Sequence, residues 1–389
     1  MSSSSKRSWK KRFLPFSLTC LSFCALLFYS VYLPSTASVY RENTSRDKPL
    51  LIFVPDSGLG NNMVGLASTR VLAGILNFPL GISWDDTSTL ACQAAYSDIF
   101  SDPGIVFSAE QLSRRCSGVC DLDLTHFGTV GCWKMLQCDS IEQLRARFQN
   151  CSCVRIKSNQ AFMEPLLARF GEIYDRPFHY HGDFLFRPSE KINSVISQTL
   201  AMWRERFDVQ HVIGVHVRSA FFTSSVKDGH LVPQEGVFSN YFWPCVQRIV
   251  ANVRANKIGI FVAGDTLQVR QEASRILRSD SRVVELNSPI LQIPNDTGIG
   301  PVREKQVVLD AASELFLLRS CDSLVVKRIG HFDSTFSAVA IALADCESHT
   351  DCFIVNGENT CERIALSPNP DLHHVVDPNC SEMGSYCLT

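Results

Sequence analysis

The amino-acid sequence predicts an α/β fold built on two parallel β-sheets. Three observations support this prediction. After residue 210, short apolar runs alternate with stretches of helical periodicity, as in β–α units. Near residue 50, an apolar run leads into a glycine-bearing turn and then into helical spacing. The chain of 389 residues also exceeds one typical core, which favours two domains.

The first predicted domain, residues 50–205, opens with a strand, a turn and a helix. Leu50–Val54 is a continuous apolar run, and residues 55–60 contain the two glycines of the turn. From Asn61 onward, apolar residues recur at helical spacing, at Met63, Leu66, Ala67, Val71 and Ile75. Residues 85–160 are rich in cysteine, and their sequence predicts no order of elements.

The second predicted domain, residues 206–345, alternates strands and helices as a parallel sheet covered on both faces requires. The predicted strands cover 211–217, 258–263, 282–286 and 324–326, and the predicted helices cover about 239–255, 267–278, 302–320 and 334–344. The residues between Arg218 and Gly236 are expected to form a loop. The polar residues 346–389 are expected to form a disulfide-rich strap rather than a domain.

The amino-terminal segment predicts a membrane anchor. Five basic residues and no acidic residue lie in residues 1–12, and the apolar run over 13–33 has the length of a membrane-spanning helix. Because a basic flank stays in the cytosol, the remainder of the chain is expected in the lumen, after a stem over 34–49. A cleaved signal peptide is the alternative, since small residues follow the run at Ser35-Thr36-Ala37.

Cysteine usage predicts an oxidising compartment. Cys20 and Cys24 lie in the apolar run, and the other fourteen of the sixteen cysteines lie beyond it. Seven fall between Cys92 and Cys153 and five between Cys346 and Cys387, so a bridge must leave each cluster if all of them pair. We therefore expect the tail to be linked to the body, and the spacings do not match a structural zinc site. Four N-glycosylation sequons support the same location, at Asn43, Asn150, Asn295 and Asn379.

A histidine and an arginine lie at the carboxyl end of the predicted apolar strand 211–217. His216 and Arg218 are two residues apart at its carboxyl end, so they project from the same face, beside the crevice where open α/β sheets bind ligands. The planar donors of an arginine match a phosphate or pyrophosphate. The alternative is an arginine that pairs with a surface carboxylate where the strand leaves the core.

Three further features lie at strand ends or helix starts. The first glycine loop combines possible backbone donors with a helix amino-terminus, and a later carboxylate is placed to accept from a ribose hydroxyl or a base N–H. A third segment offers hydroxyls and amides for a diphosphate. These features are Gly58, Gly60, Asn61 and Asn62; Asp265; and Ser334, Thr335 and Phe336. A tight turn and ordinary helix capping are the alternatives for each, whereas together they predict a nucleoside-diphosphate crevice.

The order of these motifs resembles one superfamily of fucosyltransferases. The segments GLGNN, GVHVR and IFVAGD, a helix with Asp310 and Glu314, and DSTFSAVAIALA follow one another as in the α1,2-, α1,6- and protein-O-fucosyltransferases and the plant xyloglucan enzymes. The resemblance spans about residues 50–345. It implies a GT-B fold, in which two Rossmann-like domains face each other across a cleft, and inverting transfer from GDP-fucose to a glycan or glycoprotein without a metal cofactor.

The resemblance also implies roles for individual residues. Arg218 is implied to contact the GDP phosphates, and Asp265 is implied to bind the nucleoside. Ser334, Thr335 and Phe336 match the phosphate-side helix start. The donor-binding set is completed by the first glycine loop (Gly58, Gly60, Asn61 and Asn62), and the predicted catalytic residues are Arg218 and His216. Candidates for the general base are His216, Asp228, His230 and Glu235, all near the acceptor side.

Three alternatives remain open from sequence. A metal-dependent transferase needs an Asp-x-Asp after an apolar strand, and the candidate, Asp121-Leu122-Asp123, is expected to form a solvated turn. A non-catalytic lumenal binding protein, or a transferase for another sugar nucleotide, would keep the same fold. Without the five basic residues of the amino-terminal tail, 32 basic residues face 39 acidic ones, a balance that gives no indication of a nucleic-acid surface. The expected location is the Golgi or endoplasmic reticulum membrane, with type II topology.

Overall fold

Two parallel β-sheets organise the chain in the computed structural model. The structure describes residues 48–84, 94–124, 140–158, 184–218, 223–227, 230–233, 235–286, 305–327, 335–344, 346 and 350–364, with backbone alone for 223–227 and 230–233. The predicted anchor over 13–33, together with Ser334 and Asp228, lies outside these residues. Among the helices that are described, none combines the length and apolar character needed to cross a membrane.

The first sheet has four parallel strands in the order β2-β1-β4-β3. Its strands are β1 (Leu50–Val54), β2 (Leu80–Ile82), β3 (Val119–Asp123) and β4 (Cys153–Lys157). The helices of this part are α1 (Leu59–Leu76), α2 (Tyr96–Ile99), α3 (Ala109–Arg115), α4 (Ile141–Phe148) and α5 (Glu190–Phe207). The predicted first strand and helix are confirmed. The helix begins two residues earlier than the apolar spacing indicates, because Gly58 is its N-cap and Gly60 lies in its first turn.

The second sheet has six strands in the order β12-β11-β10-β5-β8-β9, and β12 alone is antiparallel. Its strands are β5 (His211–Val217), β8 (Ile258–Gly264), β9 (Val283–Leu286), β10 (Ser323–Lys327), β11 (Asp351–Val355) and β12 (Glu362–Arg363). The helices are α6 (Trp243–Asn252), α7 (Leu267–Leu277), α8 (Lys305–Arg319) and α9 (Thr335–Leu343), and a π-helical turn (Phe238–Phe242) precedes α6. The predicted alternation of strands and helices is confirmed.

Two expectations about this half are wrong. The segment after Arg218 contains an antiparallel hairpin of β6 (Thr223–Lys227) and β7 (His230–Pro233), not an uninterrupted loop. The tail is not only a strap, because β11 pairs in parallel with β10 and so completes the sheet. The short strand DCFIV was not predicted because cysteines and polar residues dominate the tail around it.

Helices cover both faces of the second sheet. On one face, α6 and α7 bury Val246, Ile249 and Val269 against Val215 and Ile260. On the other face, α8 and α9 belong to a core that also contains residues of β1 and α1. The two sheets therefore share one contiguous core, and contacts group the chain from Lys48 onward into one unit. The division at 205/206 remains a prediction.

Four disulfides link the described cysteines. Cys116–Cys153 and Cys120–Cys151 tie β3 and its preceding loop to β4. Cys346–Cys352 lies within the tail, and Cys245–Cys361 joins the tail to α6 across 116 residues. The predicted link between tail and body is thus confirmed. Cys321 is buried and makes no disulfide with another described cysteine.

Candidate active site

Arg218 and Asp265 lie side by side at the carboxyl ends of two neighbouring strands. β5 and β8 pair in register up to Val217 and Gly264, so the residues that follow them leave the sheet together. The Arg218 Nη1 and Asp265 Oδ2 atoms are 3.5 Å apart, and the two side chains are 40% and 15% exposed. A half-exposed guanidinium beside a carboxylate retains donors that face solvent. The strand-end placement therefore suits a phosphate and a nucleoside on adjacent groups.

His216 is buried two residues before Arg218. Its ring stacks on Phe336, with 4.8 Å between centroids, and its Nδ1 shares a hydrogen bond of 2.6 Å with the Ser337 hydroxyl. Burial lowers the pKa of His216 to about 4, and Asp265 opposes this effect only in part. The imidazole is therefore neutral at pH 7. A group with so low a pKa is a weak general base, because an effective base titrates near the working pH.

The amino-terminus of α1 meets the amino-terminus of α9. Thr335 donates its hydroxyl hydrogen to Oδ1 of Asn61. Gly60 approaches the α9 backbone so closely that a β-carbon there would lie 3.0 Å from the Phe336 nitrogen. Since the capping residue Gly58 has no side chain, the first amides of α1 are not capped by it. Two helix amino-termini, both attractive to anions, therefore converge next to His216.

Asn62 holds the glycine loop rather than facing a ligand. Its side chain is fully buried, its Oδ1 accepts from the backbone amides of Asp56 and Ser57 at 3.1 Å, and its Nδ2 donates to the Ser57 carbonyl at 2.6 Å. These bonds use the amide group on the turn itself. Asn62 therefore shapes the loop before Gly58, and its role in donor binding stays a prediction.

An ion pair beneath Asp265 was missed by sequence analysis. Arg270 on α7 donates through Nε and Nη2 to the Gly264 carbonyl, at 3.0 and 2.8 Å, and through Nη2 to Glu314 on α8, at 2.9 and 3.2 Å. Burial raises the pKa of Glu314 to about 7, and Arg270 opposes this rise. Glu314 is named from sequence as part of the family motif, whereas Arg270 is not identified from sequence. Charged residues inside two helices had given no sign that they would meet.

Lys327, at the end of β10, is a second residue near the site that is not identified from sequence. Its ammonium lies 4.5 Å from the centre of the Tyr241 ring, within the range of a cation–π interaction. Burial lowers the pKa of Lys327 to about 8. β10 is the other neighbour of β5, so a basic residue closes this strand as well. A lysine directly after an apolar strand was the signal that would have found it.

The remaining candidates are placed less centrally. Glu235 is exposed, and His230 lies in β7, whose side chains are not described. The pair Asp121 and Asp123 lies on the edge strand β3, so the expected turn is wrong. Asp121 accepts from Nε and Nη2 of Arg155, at 2.7 and 2.9 Å. Within the described parts of the chain, no group of three acidic, histidine or cysteine residues is arranged to hold a metal ion.

Comparisons with known proteins place this arrangement in a known fold. No family model and no curated protein matches the chain. A solved structure of an Arabidopsis thaliana FUT1 mutant in complex with GDP matches at 15% identity, covering 83% of this chain and 74% of that chain with a TM-score of 0.55. Two weaker structural matches have TM-scores of 0.46 and 0.47. They are NodZ α-1,6-fucosyltransferase from Bradyrhizobium with GDP (16% identity, 82% and 98% coverage) and POFUT1 with GDP-fucose (12%, 80% and 99%). The resemblance predicted from sequence is confirmed at the level of the fold, because this chain shares the fold of the Arabidopsis thaliana FUT1 structure.

Proposed function

We propose that this protein is an inverting glycosyltransferase that transfers fucose from GDP-fucose to a glycan or glycoprotein. The observation that carries the proposal is the position of Arg218, at the end of β5, beside Asp265. The fold match to an enzyme solved with GDP supports it. The alternatives, a non-catalytic binding protein or a transferase for another sugar nucleotide, are not favoured by any observation on this chain.

The chemistry follows from the charge that develops during transfer. Breaking the bond between sugar and phosphate leaves negative charge on the diphosphate while the sugar becomes oxocarbenium-like. The Arg218 guanidinium and the amides at the start of α1 and α9 are fixed before reaction, so they stabilise this charge without reorganisation. Asp265 accepts hydrogen bonds from the nucleoside, and this role of the acidic group needs no metal.

The neutral His216 has a supporting role in this proposal. Its stacking on Phe336 and its bond to Ser337 fix the start of α9 relative to β5. A neutral imidazole adds no positive charge at the diphosphate, so Arg218 and the two helix amino-termini supply the attraction for phosphate. The general base is then one of the acceptor-side candidates after Arg218, namely Asp228, His230 or Glu235.

We propose that the chain works in the lumen of the secretory pathway as a type II membrane protein. The basic residues 1–12 and the apolar run over 13–33 support this orientation. The four disulfides from Cys116 to Cys361 support an oxidising compartment.

Two substitutions at Arg218 test the function. Arg218→Ala is expected to lower transfer from GDP-fucose by on the order of 100-fold or more, because a fixed donor to developing charge is lost. Arg218→Lys keeps the charge but not the bidentate geometry, so it should not restore the rate. Transfer by the purified full chain, GDP affinity by calorimetry and the melting temperature should be measured on all three proteins.

The outcomes separate the proposal from its alternatives. Normal GDP affinity in Arg218→Ala, or a lysine variant indistinguishable from wild type, would show that Arg218 is only a strand-end salt bridge. GDP binding with neither hydrolysis of GDP-fucose nor transfer would indicate the non-catalytic protein. Preferential stabilisation by a different nucleotide would indicate another donor.

A further inference from the structure

The end of β8 is held from both faces of the second sheet. Arg270 is on α7, which packs on one face, and Glu314 is on α8, which packs on the opposite face. Their side chains meet at the carboxyl edge of the sheet, where Arg270 also donates two hydrogen bonds to the Gly264 carbonyl. The backbone immediately before Asp265 is therefore tied to both layers of helices.

The local sequence makes this arrangement possible. A β-carbon at Gly264 would lie only 3.2 Å from Val269, a tight contact, and 3.5 Å from the Cγ atom of Arg270, an ordinary one, so the arginine stem packs directly against this glycine. Thr266 begins α7 by accepting from the Val269 amide at 3.4 Å, which puts Arg270 one turn beyond the end of the strand. The guanidinium then reaches back to Gly264 and onward to Glu314.

The ion pair between Arg270 and Glu314 is largely buried, unlike a surface ion pair. The Arg270 and Glu314 side chains are 18% and 9% exposed, and Glu314 engages Nη2 of Arg270 with both oxygens. Removing two such groups from water is costly unless their hydrogen bonds are well satisfied. Here the guanidinium donates two hydrogen bonds to the carbonyl of the last residue of β8. A specific geometric task explains why the pair is placed at this point.

We propose that Arg270 and Glu314 are positioning residues that orient Asp265 for the nucleoside of the donor. Glu314 fixes the guanidinium of Arg270, Arg270 fixes the Gly264 carbonyl, and the next residue along the chain is Asp265. Oδ2 of Asp265 in turn lies 3.5 Å from Nη1 of Arg218. The Arg270–Glu314 pair therefore also supports the neighbour of the residue proposed to bind phosphate. This inference rests on the proposed function, since it assumes that Asp265 meets a nucleoside.

Arg270→Lys is the informative substitution. Lysine keeps a positive charge for Glu314 but lacks the fork that binds Gly264 and Glu314 together, so it should fold and yet bind GDP on the order of tenfold more weakly. The KM for GDP-fucose should rise, whereas kcat should change little, because the nucleoside is bound equally in the ground and transition states. The matched control is Arg278→Lys, at an exposed ion pair with Glu285 just after the same helix, which should leave both parameters unchanged.

A double-mutant cycle with Asp265 tests whether Arg270 acts through it. Asp265→Ala alone should weaken GDP binding, and adding Arg270→Lys should weaken it no further, because the orientation of an absent carboxylate is irrelevant. Additive losses, or unchanged GDP affinity in Arg270→Lys, would overturn this inference alone. If the wild-type full chain shows no affinity for GDP, the proposed function fails and this inference fails with it. Glu314→Gln keeps the shape of the pair without its charge and provides a second variant should the lysine variant not fold.

Discussion

At the scale of single residues, the burial of His216 has a measurable consequence for stability. A histidine that is neutral in the folded protein and has an ordinary pKa in the unfolded chain binds a proton more readily when unfolded. Its depressed pKa therefore contributes stability above about pH 6.5, and this contribution is lost as the pH falls toward 4. Glu314 acts in the opposite direction, because its raised pKa favours the folded state at low pH.

We expect His216 to make the protein acid-sensitive. The shift from 6.5 to about 4 corresponds to about 3 kcal/mol of unfolding free energy, lost between pH 6.5 and 4. Urea unfolding of wild type and His216→Gln should be compared at several pH values in this window. The difference between the two proteins isolates His216 from other titrating groups. Parallel stability curves would contradict the prediction, and His211→Gln, at a half-buried histidine, is a suitable control with a smaller expected effect.

At the scale of secondary structure elements, the site depends on how closely α1 approaches α9. Gly60 is the contact that permits this approach, since its α-carbon faces the backbone of Thr335 and Phe336. Backbone atoms cannot rotate away as a flexible side chain can. The two helix amino-termini therefore stay adjacent only while residue 60 has no side chain.

Gly60→Ala should destabilise the protein by about 1–3 kcal/mol, the usual cost of an added methyl group in a close-packed contact. Gly74→Ala in the same helix should instead stabilise it by about 0.5–1 kcal/mol, because nothing lies within 4 Å of a β-carbon there and alanine favours helix. Thermal unfolding of both variants gives the comparison. Similar effects of the two substitutions would mean that α1 and α9 are not in tight contact. GDP affinity should fall only for Gly60→Ala.

Elements differed in how well their sequence predicted them. The strands 211–217 and 258–264 were predictable because both of their faces are buried, so the sequence is mostly apolar over each. β3 reads VCDLD, and Leu122 is its one buried residue; strand pairing and two disulfides link it to β4. Likewise, the strand ends that carry Arg218 and Asp265 were foreseeable. Arg270 was not, because its partners come from another helix and from a backbone carbonyl.

At the scale of the whole molecule, the proposed orientation in the membrane places every sequon on the lumenal side. Asn150 is the sequon within the described residues, and it is exposed just after α4. Its neighbour Cys151 is bridged to Cys120. A disulfide and a glycan at these neighbouring residues would both require an oxidising, glycosylating compartment.

We expect the chain to acquire a glycan at Asn150. In sealed microsomes we expect protease to remove only the extreme amino-terminus of the chain. Asn150→Gln should increase gel mobility by one glycan, and treatment with an N-glycosidase should abolish the difference between the two proteins. Lys157→Gln, at the half-buried carboxyl end of β4 and outside a sequon, should migrate as wild type does. Digestion of the bulk of the chain in intact microsomes would show the opposite orientation.

The strand order of the second sheet has a consequence for biosynthesis. β5 lies between β8, which follows it closely in the chain, and β10, which begins only at Ser323. During synthesis, one edge of β5, the strand that leads to Arg218, therefore stays unpaired until β10 has been made. This takes about 5–20 s at ordinary translation rates of roughly 5–20 residues per second. An apolar strand with an open edge is prone to pair with other chains. We therefore expect the nascent chain to need chaperones at this stage, since a chain released before β10 is made would expose an aggregation-prone edge.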